Sequence, residues 1–199
     1  IAYIKYDESD VMMYDMPMYL PTYGKDNTHE PFCPPYSFKY PVAGADNARL
    51  SVHSFDIKSR VTRKLDVNIP EEGYIPRIMF TEDPTVLAVM TLNRHQSVLE
   101  IHAVNPLSGI SRTILREESD KYLNEQTYSG IRFLDKYFVF QSERSGYNHL
   151  YLYTLGGEFV RQITKGDFEV KHFYGWDKKK DEFYYSSNEG SPLREMIYK

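Results

Sequence analysis

Three strand-turn-strand segments recur along the chain, with turns centred near residues 94, 144 and 189, so the intervals between them are 50 and 45 residues. Each segment has two short runs of apolar and aromatic residues around a polar turn, which is typical of an antiparallel hairpin. The paired runs are 86–92 with 98–104, 137–142 with 148–153, and 182–187 with 193–198. A period of roughly 40 to 50 residues is typical of the four-stranded blades of a β-propeller.

Further strand candidates flank these hairpins: 75–80, 129–134 and 170–176 before them, and 110–115 and 158–164 after the first two. The 30 aromatic residues among 199 favour strands, where flat side chains pack across neighbours. In Leu150-Tyr151-Leu152-Tyr153 both alternating faces are apolar, as expected of a strand covered on both sides. A β-sandwich also has short strands and hairpins, but a repeat in register across three units favours the propeller.

We therefore predict an all-β fold, a partial β-propeller of about four blades built from four-stranded antiparallel sheets. The predicted units are an irregular blade with a long insertion at 1–66, blades at 73–118 and 122–166, and an incomplete blade at 168–199. A closed ring typically has 4–8 blades, and both chain ends fall in strand-like runs. We therefore expect a fragment of a larger propeller.

Two segments depart from the strand pattern. In the irregular unit, a Met-rich run at 12–19 and a Pro-rich stretch at 31–41 predict an elaborated edge strand or a long loop. Around residues 113–122 apolar residues recur at i and i+3, which supports at most a single helical turn.

Charge and composition exclude several functional classes. The 24 Lys and Arg against 28 Asp and Glu are interspersed and give a net charge of -4, which argues against a nucleic-acid-binding surface. No stretch approaches the roughly 18 apolar residues of a membrane-spanning segment. The single cysteine, Cys33, allows neither an internal disulfide nor a Cys-based zinc site, and its role stays open.

The motifs of common active sites are missing from this sequence. It contains no Gly-x-Ser-x-Gly nucleophile elbow, no metal-ligand spacing of histidines and no Gly-rich phosphate loop, so we predict no catalytic residue, metal or cofactor in this chain. His102 and His149 occupy similar positions in repeated strands, which predicts a structural role. Lys178-Lys179-Lys180, between two acidic residues, predicts a solvated hairpin tip.

Two adjacent acidic pairs, Glu71-Glu72 and Glu117-Glu118, could bind a cationic amine, because neighbouring carboxylates favour a neutralising cation. Each pair follows or precedes a strand candidate in a polar connection. We therefore expect exposed loop charge at both.

Four segments together carry a family resemblance: 1–11, 38–47, 74–77 with 92–94, and 142–151. Most specific are Tyr-Pro-x-Ala-Gly-x-x-Asn at 40–47 and Ser-Glu-Arg-x-Gly-Tyr-x-His-Leu-Tyr at 142–151. In order and spacing, over essentially the whole chain, they resemble the propeller of the dipeptidyl peptidase IV family, in the prolyl oligopeptidase clan of serine peptidases.

The resemblance implies a parent enzyme that releases N-terminal dipeptides with Pro or Ala in the second position. An eight-bladed propeller would gate access to a C-terminal α/β-hydrolase domain of the same parent chain, with a peptide as substrate and a periplasmic or extracellular location. The catalytic Ser, Asp and His would lie beyond Lys199, so this chain would be a non-catalytic part. The alternative is a stand-alone propeller or sandwich binding module without peptidase activity.

The resemblance also implies where substrate contacts lie. The family's amine-binding Glu pair would precede Ile1, so Glu71-Glu72 is not assigned that role; a relative without the pair would have a different specificity. The family's Phe-Arg contact would fall at 122–130, where no Arg occurs. Tyr122 and Tyr128 are the cleft-rim candidates, the alternative being core positions as strand aromatics.

An incomplete ring also leaves blade edges without a partner strand. Unpaired edges invite pairing with another chain. We therefore expect the fragment to self-associate.

Overall fold

The computed structural model describes residues 1–17 and 35–199, and within these ranges its regular elements are β-strands and one short helix. The elements are β1 (Ala2–Asp7), β2 (Met13–Pro17), β3 (Pro35–Lys39), β4 (Arg49–Asp56), β5 (Val61–Lys64), β6 (Tyr74–Phe80), β7 (Leu87–Leu92), β8 (Val98–Val104), β9 (Ser111–Glu118), α1 (Glu125–Ser129), β10 (Arg132–Leu134), β11 (Tyr137–Ser142), β12 (His149–Thr154), β13 (Phe159–Gln162), β14 (Val170–Asp177), β15 (Glu182–Ser187) and β16 (Met196–Tyr198). The prediction of an all-β fold is confirmed.

The strands form consecutive meanders. Sheet I has the order β6-β7-β8-β9, sheet II the order β10-β11-β12-β13, and sheet III the order β14-β15-β16. A further sheet pairs β1, β4 and β5. The three predicted hairpins are the pairs β7–β8, β11–β12 and β15–β16, all antiparallel. Repeated four-stranded antiparallel meanders are the sheet pattern of propeller blades, as predicted.

Strand β12 contributes to two different cores, one on each face. Tyr151 and Tyr153 pack into a core formed by sheets I and II, together with Phe138 and Phe140 of β11. The alternate residues Leu150 and Leu152 pack into a second core, between sheets II and III, whose other members include Val139, Val170 and Phe173. All four β12 side chains are at most 6% exposed. The predicted covering of both faces is confirmed, and burial of each such side chain contributes roughly 1.5–3 kcal/mol.

The chain divides into two compact units, residues 1–5 with 51–199 and residues 6–50. The smaller unit contains the β2–β3 hairpin, paired from Met13 with Lys39 to Pro17 with Pro35. Nearly every residue of both strands is exposed. The predicted elaborated edge is therefore a hairpin, whereas residues 18–34, which include Cys33 and the first four residues of the Pro-rich stretch, lie outside the described residues.

The predicted helical turn at 113–122 is wrong, because residues 111–118 form β9 and the helix α1 begins only at Glu125. A β-bulge explains the misleading pattern. Ile101 pairs with Leu115 and His102 with Thr113, so Ile114 is the extra residue. The bulge makes the consecutive residues Ile114 and Leu115 both buried, and consecutive buried residues disturb the period of two that identifies a strand.

Candidate functional site

The connection from β9 to β10 contains the sequence-predicted rim residues and the short helix α1. The Asn124 side chain caps this helix by accepting a hydrogen bond from the Gln126 amide at 3.2 Å. At the other end, the Gly130 amide donates to the Gln126 carbonyl at 3.0 Å. Five residues are too few for a helix that is stable by itself. Contacts with the sheets must therefore hold α1 in place.

Two of these contacts tie the connection to sheet I. Leu123 is buried in the core of sheets I and II, and its amide donates to the Gln96 carbonyl in the β7–β8 turn at 2.7 Å. Arg77 of β6 donates through Nη1 to the Ser129 carbonyl at 3.0 Å, at the last residue of α1. The helix is thus fixed at its start by a buried leucine and at its end by a guanidinium.

The two tyrosines predicted at the rim have different surroundings. Tyr122 lies in the loop before α1 and is 69% exposed, next to the buried Leu123. Tyr128 lies in α1 and is half-buried against the core of sheets I and II. Burial raises the pKa of its hydroxyl, and the Glu125 carboxylate raises it further. Neither residue belongs to a strand, so the alternative reading of both as strand aromatics is wrong. The core position that this alternative gives to Tyr128 agrees with the packing of its ring.

A polar cluster joins sheets I and II at the end of β9. Glu117 is 6% exposed and accepts hydrogen bonds from Ser142 Oγ and Arg144 Nη2. Arg144 also donates to the Tyr153 hydroxyl oxygen at 2.6 Å, and its guanidinium lies 4.8 Å from the centre of the Tyr151 ring. Each Glu117 oxygen therefore has a donor, and the guanidinium that neutralises it is held by two aromatic residues.

The expectation of exposed loop charge is therefore wrong for Glu117. Beyond the bulge at Ile114, β9 returns to strict alternation, so Glu117 shares the buried face with Leu115. Burial lowers the pKa of the Arg144 guanidinium, but the Glu117 carboxylate and Tyr153 outweigh this effect and raise it. With this cation already in contact, Glu117 has no role in binding an amine.

The other three acidic residues of the two pairs are exposed, as expected. Glu118 is exposed at the end of β9 and pairs with Arg116. Glu71 and Glu72 lie in an exposed turn before β6, and Glu72 Oε2 is 3.2 Å from Arg94 Nη1.

The two buried histidines are held by hydrogen bonds on both ring nitrogens. His102 Nε2 is 3.0 Å from Thr91 Oγ1, and its Nδ1 is 3.1 Å from Thr113 Oγ1. His149 Nδ1 is 3.0 Å from Thr164 Oγ1 and its Nε2 is 3.0 Å from the Gly166 carbonyl. The predicted structural role is confirmed. Within the described ranges, no group of three or more His, Cys, Asp or Glu side chains is placed to hold a metal ion.

The predicted equivalence of the two positions is wrong. His149 pairs with Ser142, the last residue of β11 before the hairpin turn. His102 pairs with Val89, whereas the corresponding last residue of β7, Leu92, pairs with Leu99. His102 is therefore three residues further from its turn than His149.

The lysines at 178–180 occupy the exposed turn between β14 and β15. Asp177 Oδ1 accepts from the Lys179 amide at 3.0 Å. Lys178 Nζ is 2.8 Å from Asp135 Oδ2 and 5.6 Å from the Trp176 ring centre. The predicted solvated hairpin tip is confirmed.

The described residues, 1–17 and 35–199, contain no helix long and apolar enough to cross a membrane.

Comparison with known proteins identifies relatives over the full length. Residues 1–199 match the family described as "Dipeptidyl peptidase IV (DPP IV) N-terminal region". The crystal structure of Porphyromonas gingivalis dipeptidyl peptidase 4 is 35% identical and covers 99% of this chain with a TM-score of 0.88, while the match spans 27% of that protein. The "Probable dipeptidyl peptidase 4" of Neosartorya fischeri is 26% identical over 211 residues.

The dipeptidyl peptidase 4 of Arthroderma otae is 26% identical over 219 residues. Both fungal relatives match 100% of this chain, which spans only 27% and 26% of their respective lengths. The solved relative shows that the repeated meanders adopt the fold of the corresponding region of a dipeptidyl peptidase 4. The whole-length family match, together with the order of sheets I to III, shows that the chain belongs to the dipeptidyl peptidase IV N-terminal region family.

Proposed function

We propose that this chain is the non-catalytic propeller portion of a dipeptidyl-peptidase-IV-like serine exopeptidase. The parent protein would release N-terminal dipeptides with Pro or Ala in the second position. The observation that carries the proposal is the likeness to the P. gingivalis dipeptidyl peptidase 4 over 99% of the chain, at 35% identity and a TM-score of 0.88. The nucleophilic Ser, the Asp and the His would come from an α/β-hydrolase domain of the same parent.

In that enzyme, this chain would form a rigid part of the wall around the cavity that leads to the catalytic domain. Strands β11 and β12 are covered on both faces, and the Glu117–Arg144 pair ties sheet I to sheet II. Packed sheets of this kind resist deformation. Completed to an eight-bladed ring, they would enclose a cavity and admit only short or unfolded N-terminal segments to the catalytic domain.

The limits of the blades follow from the same proposal. An irregular blade with an insertion would span 1–66, two blades 73–118 and 122–166, and an incomplete blade 168–199. The amine-binding Glu pair would precede Ile1 in the parent. Tyr122 and Tyr128 would stand at the rim of the substrate cleft, with Tyr122 supported by its 69% exposure.

Cleavage by the full-length parent protein tests this function. Hydrolysis of Gly-Pro p-nitroanilide should be abolished by a serine-directed reagent and by acetylation of the substrate's amino group, because an exopeptidase of this class holds the free amine. The acetylated substrate is the matched control, since it differs only at that amine. Equal rates on both substrates, or no hydrolysis of either, would exclude the proposed activity.

Two further properties belong to this proposal. A periplasmic or extracellular location would be detected by fractionating cells that express the parent, and recovery of the parent in the cytoplasm would refute it.

Self-association of the isolated chain is supported by β16, the last strand of a sheet with three strands, because an unpaired edge invites strand addition. Light scattering should show a mass above 23.4 kDa, and a monomer would refute this expectation.

A further inference from the structure

A pocket of about 140 Å³ lies where α1 meets sheets II and III. Side chains from β10, β11 and β14 line it, together with residues from α1 and the following Gly130. None of the lining residues is acidic, whereas two carry a permanent positive charge, Arg132 and Lys171. Such a lining favours an anionic ligand.

Gln141 gives this pocket an unpartnered hydrogen-bond donor. The residue is 3% exposed, and its Oε1 accepts from Asn148 Nδ2 at 2.9 Å. Because Asn148 Nδ2 can only donate, this bond fixes the orientation of the Gln141 amide. The Gln141 Nε2 donates to no atom of the described residues, and the side chain lines the pocket. The Nε2–H group is therefore free to donate to a ligand in the pocket.

Gly130 provides the space for this amide. A Cβ atom at residue 130 would lie 2.4 Å from Gln141 Nε2 and 2.6 Å from Gln141 Cδ. The backbone at Gly130 has φ -80°, which any residue adopts. Glycine is therefore needed for room beside the Gln141 amide and not for backbone conformation.

Arg132 supplies the charge. Its Nη1 donates to the Ile131 carbonyl at 3.0 Å, and among the described residues no carboxylate lies within ion-pairing distance of it. The Lys171 ammonium is already engaged, since it pairs with Glu169, and His172 Nε2 lies 4.0 Å from Glu195 Oε1. A guanidinium presents paired N–H donors that match the two oxygens of a carboxylate.

We propose that this pocket binds a carboxylate group, held by the Arg132 guanidinium and the Gln141 amide. The group comes either from an acidic side chain of a peptide or from a free carboxylic acid. The proposal stands on the pocket alone and does not depend on peptidase activity.

Ligand-observed saturation-transfer NMR on the full-length parent protein tests the proposal with three probes. These are acetyl-Ala-Glu-Ala-amide, its neutral isostere acetyl-Ala-Gln-Ala-amide, and sodium acetate, at constant ionic strength. We expect a carboxylate probe to bind at least about tenfold more tightly than the Gln peptide, because a charge-assisted bidentate contact is lost in the isostere. Binding of the Glu peptide alone identifies a peptide side chain as the source, and equal or tighter binding of acetate identifies a free acid.

Variants connect the binding to this pocket. Arg132→Gln and, independently, Gly130→Ala should each weaken binding of the carboxylate probe about tenfold, the first by removing the cation and the second by displacing the Gln141 amide. Arg63→Gln, which removes a charge from an exposed residue of β5, is the matched control and should leave the affinity unchanged. The proposal is overturned if no carboxylate probe binds better than the Gln peptide, or if Arg132→Gln binds as tightly as the unmodified protein.

Discussion

Glu117 and Glu118 are adjacent acidic residues of β9 with opposite surroundings. Glu117 is buried and bonded to Ser142 and Arg144, whereas Glu118 is exposed and pairs with the exposed Arg116. We predict that Glu117→Gln lowers the free energy of unfolding by about 2 kcal/mol, because it leaves Arg144 half-buried without its counter-charge. Glu118→Gln is the matched control and should have little effect, since exposed ion pairs contribute little.

Urea unfolding of the two variants measures this difference. The midpoint for Glu117→Gln should move well below that of the unmodified chain, with an unchanged slope. Equal midpoints for both variants would show that the cluster between sheets I and II does not stabilise the fold.

His102 makes the stability depend on pH in a predictable direction. Burial lowers the pKa of its ring, and the Glu100 carboxylate, which raises it, offsets this only in part. The unfolded chain, with a histidine pKa of about 6.5, therefore binds the proton at a higher pH than the folded chain does. The free energy of unfolding should fall as the pH drops below about 6.5, and this contribution should level off below the folded-state pKa.

Replacing His102 by Gln removes this titration. The free energy of unfolding of His102→Gln should vary less between pH 7 and pH 5 than that of the unmodified chain, as measured by urea unfolding at each pH. The control is His95→Gln, which changes an exposed histidine in the β7–β8 turn and should retain the original pH dependence. An equal or steeper pH dependence in His102→Gln would show that His102 is not the source of this contribution.

Among the elements, sheets I and II approach each other closely at Gly157, in the turn between β12 and β13. Its φ of +93° favours glycine, and a Cβ atom there would lie 2.1 Å from the Ile114 carbonyl oxygen at the bulge of β9. Gly146 is a matched control, because its φ is +105° and a Cβ there would meet nothing within 4 Å. Both alanine variants carry the backbone strain, but only Gly157→Ala forces the sheets apart.

Gly157→Ala should therefore cost roughly 1–3 kcal/mol more than Gly146→Ala in free energy of unfolding. Thermal or urea unfolding of the two variants provides the comparison. An equal loss of unfolding free energy in Gly157→Ala and Gly146→Ala would mean that the bulge of β9 can move away from the turn without cost.

The connection between β9 and β10 is the element with the clearest candidate for a substrate contact. Leu123 and Arg77 hold this connection on sheet I, so that Tyr122 stands exposed on a fixed support. We predict that Tyr122→Ala in the full-length parent raises KM several-fold for a hexapeptide with Pro in the second position and changes kcat little. Phe159→Ala, which removes an exposed aromatic ring from β13, is the control. An unchanged KM in Tyr122→Ala would remove this residue from the rim.

At the scale of the molecule, what the sequence predicts depends on the range of the interactions. The hairpins β7–β8, β11–β12 and β15–β16 could be predicted because their strands and turns are local patterns. The burial of Glu117 has no local signature, because it requires Arg144, a residue 27 positions away. The alternation of Leu115 and Glu117 was the available signal, but the bulge at Ile114 conceals it.

The candidate sites show the same limit. The helix α1 depends on Arg77 and Leu123 and not on its own five residues, so no local pattern predicts it. The pocket of Arg132 and Gln141 joins α1 with strands of sheets II and III. A single sequence does not reveal that these elements meet.

We propose that residues 1–199 supply the propeller fold and none of the catalytic machinery of a dipeptidyl-peptidase-IV-like enzyme. The most direct test is to measure Gly-Pro p-nitroanilide hydrolysis side by side for the full-length parent and for the chain of residues 1–199, whose strand content is checked by circular dichroism. We expect turnover by the parent that a serine-directed reagent abolishes, and no turnover above the blank by the folded chain. Inhibitable turnover by the chain itself, or an inactive parent, would contradict it.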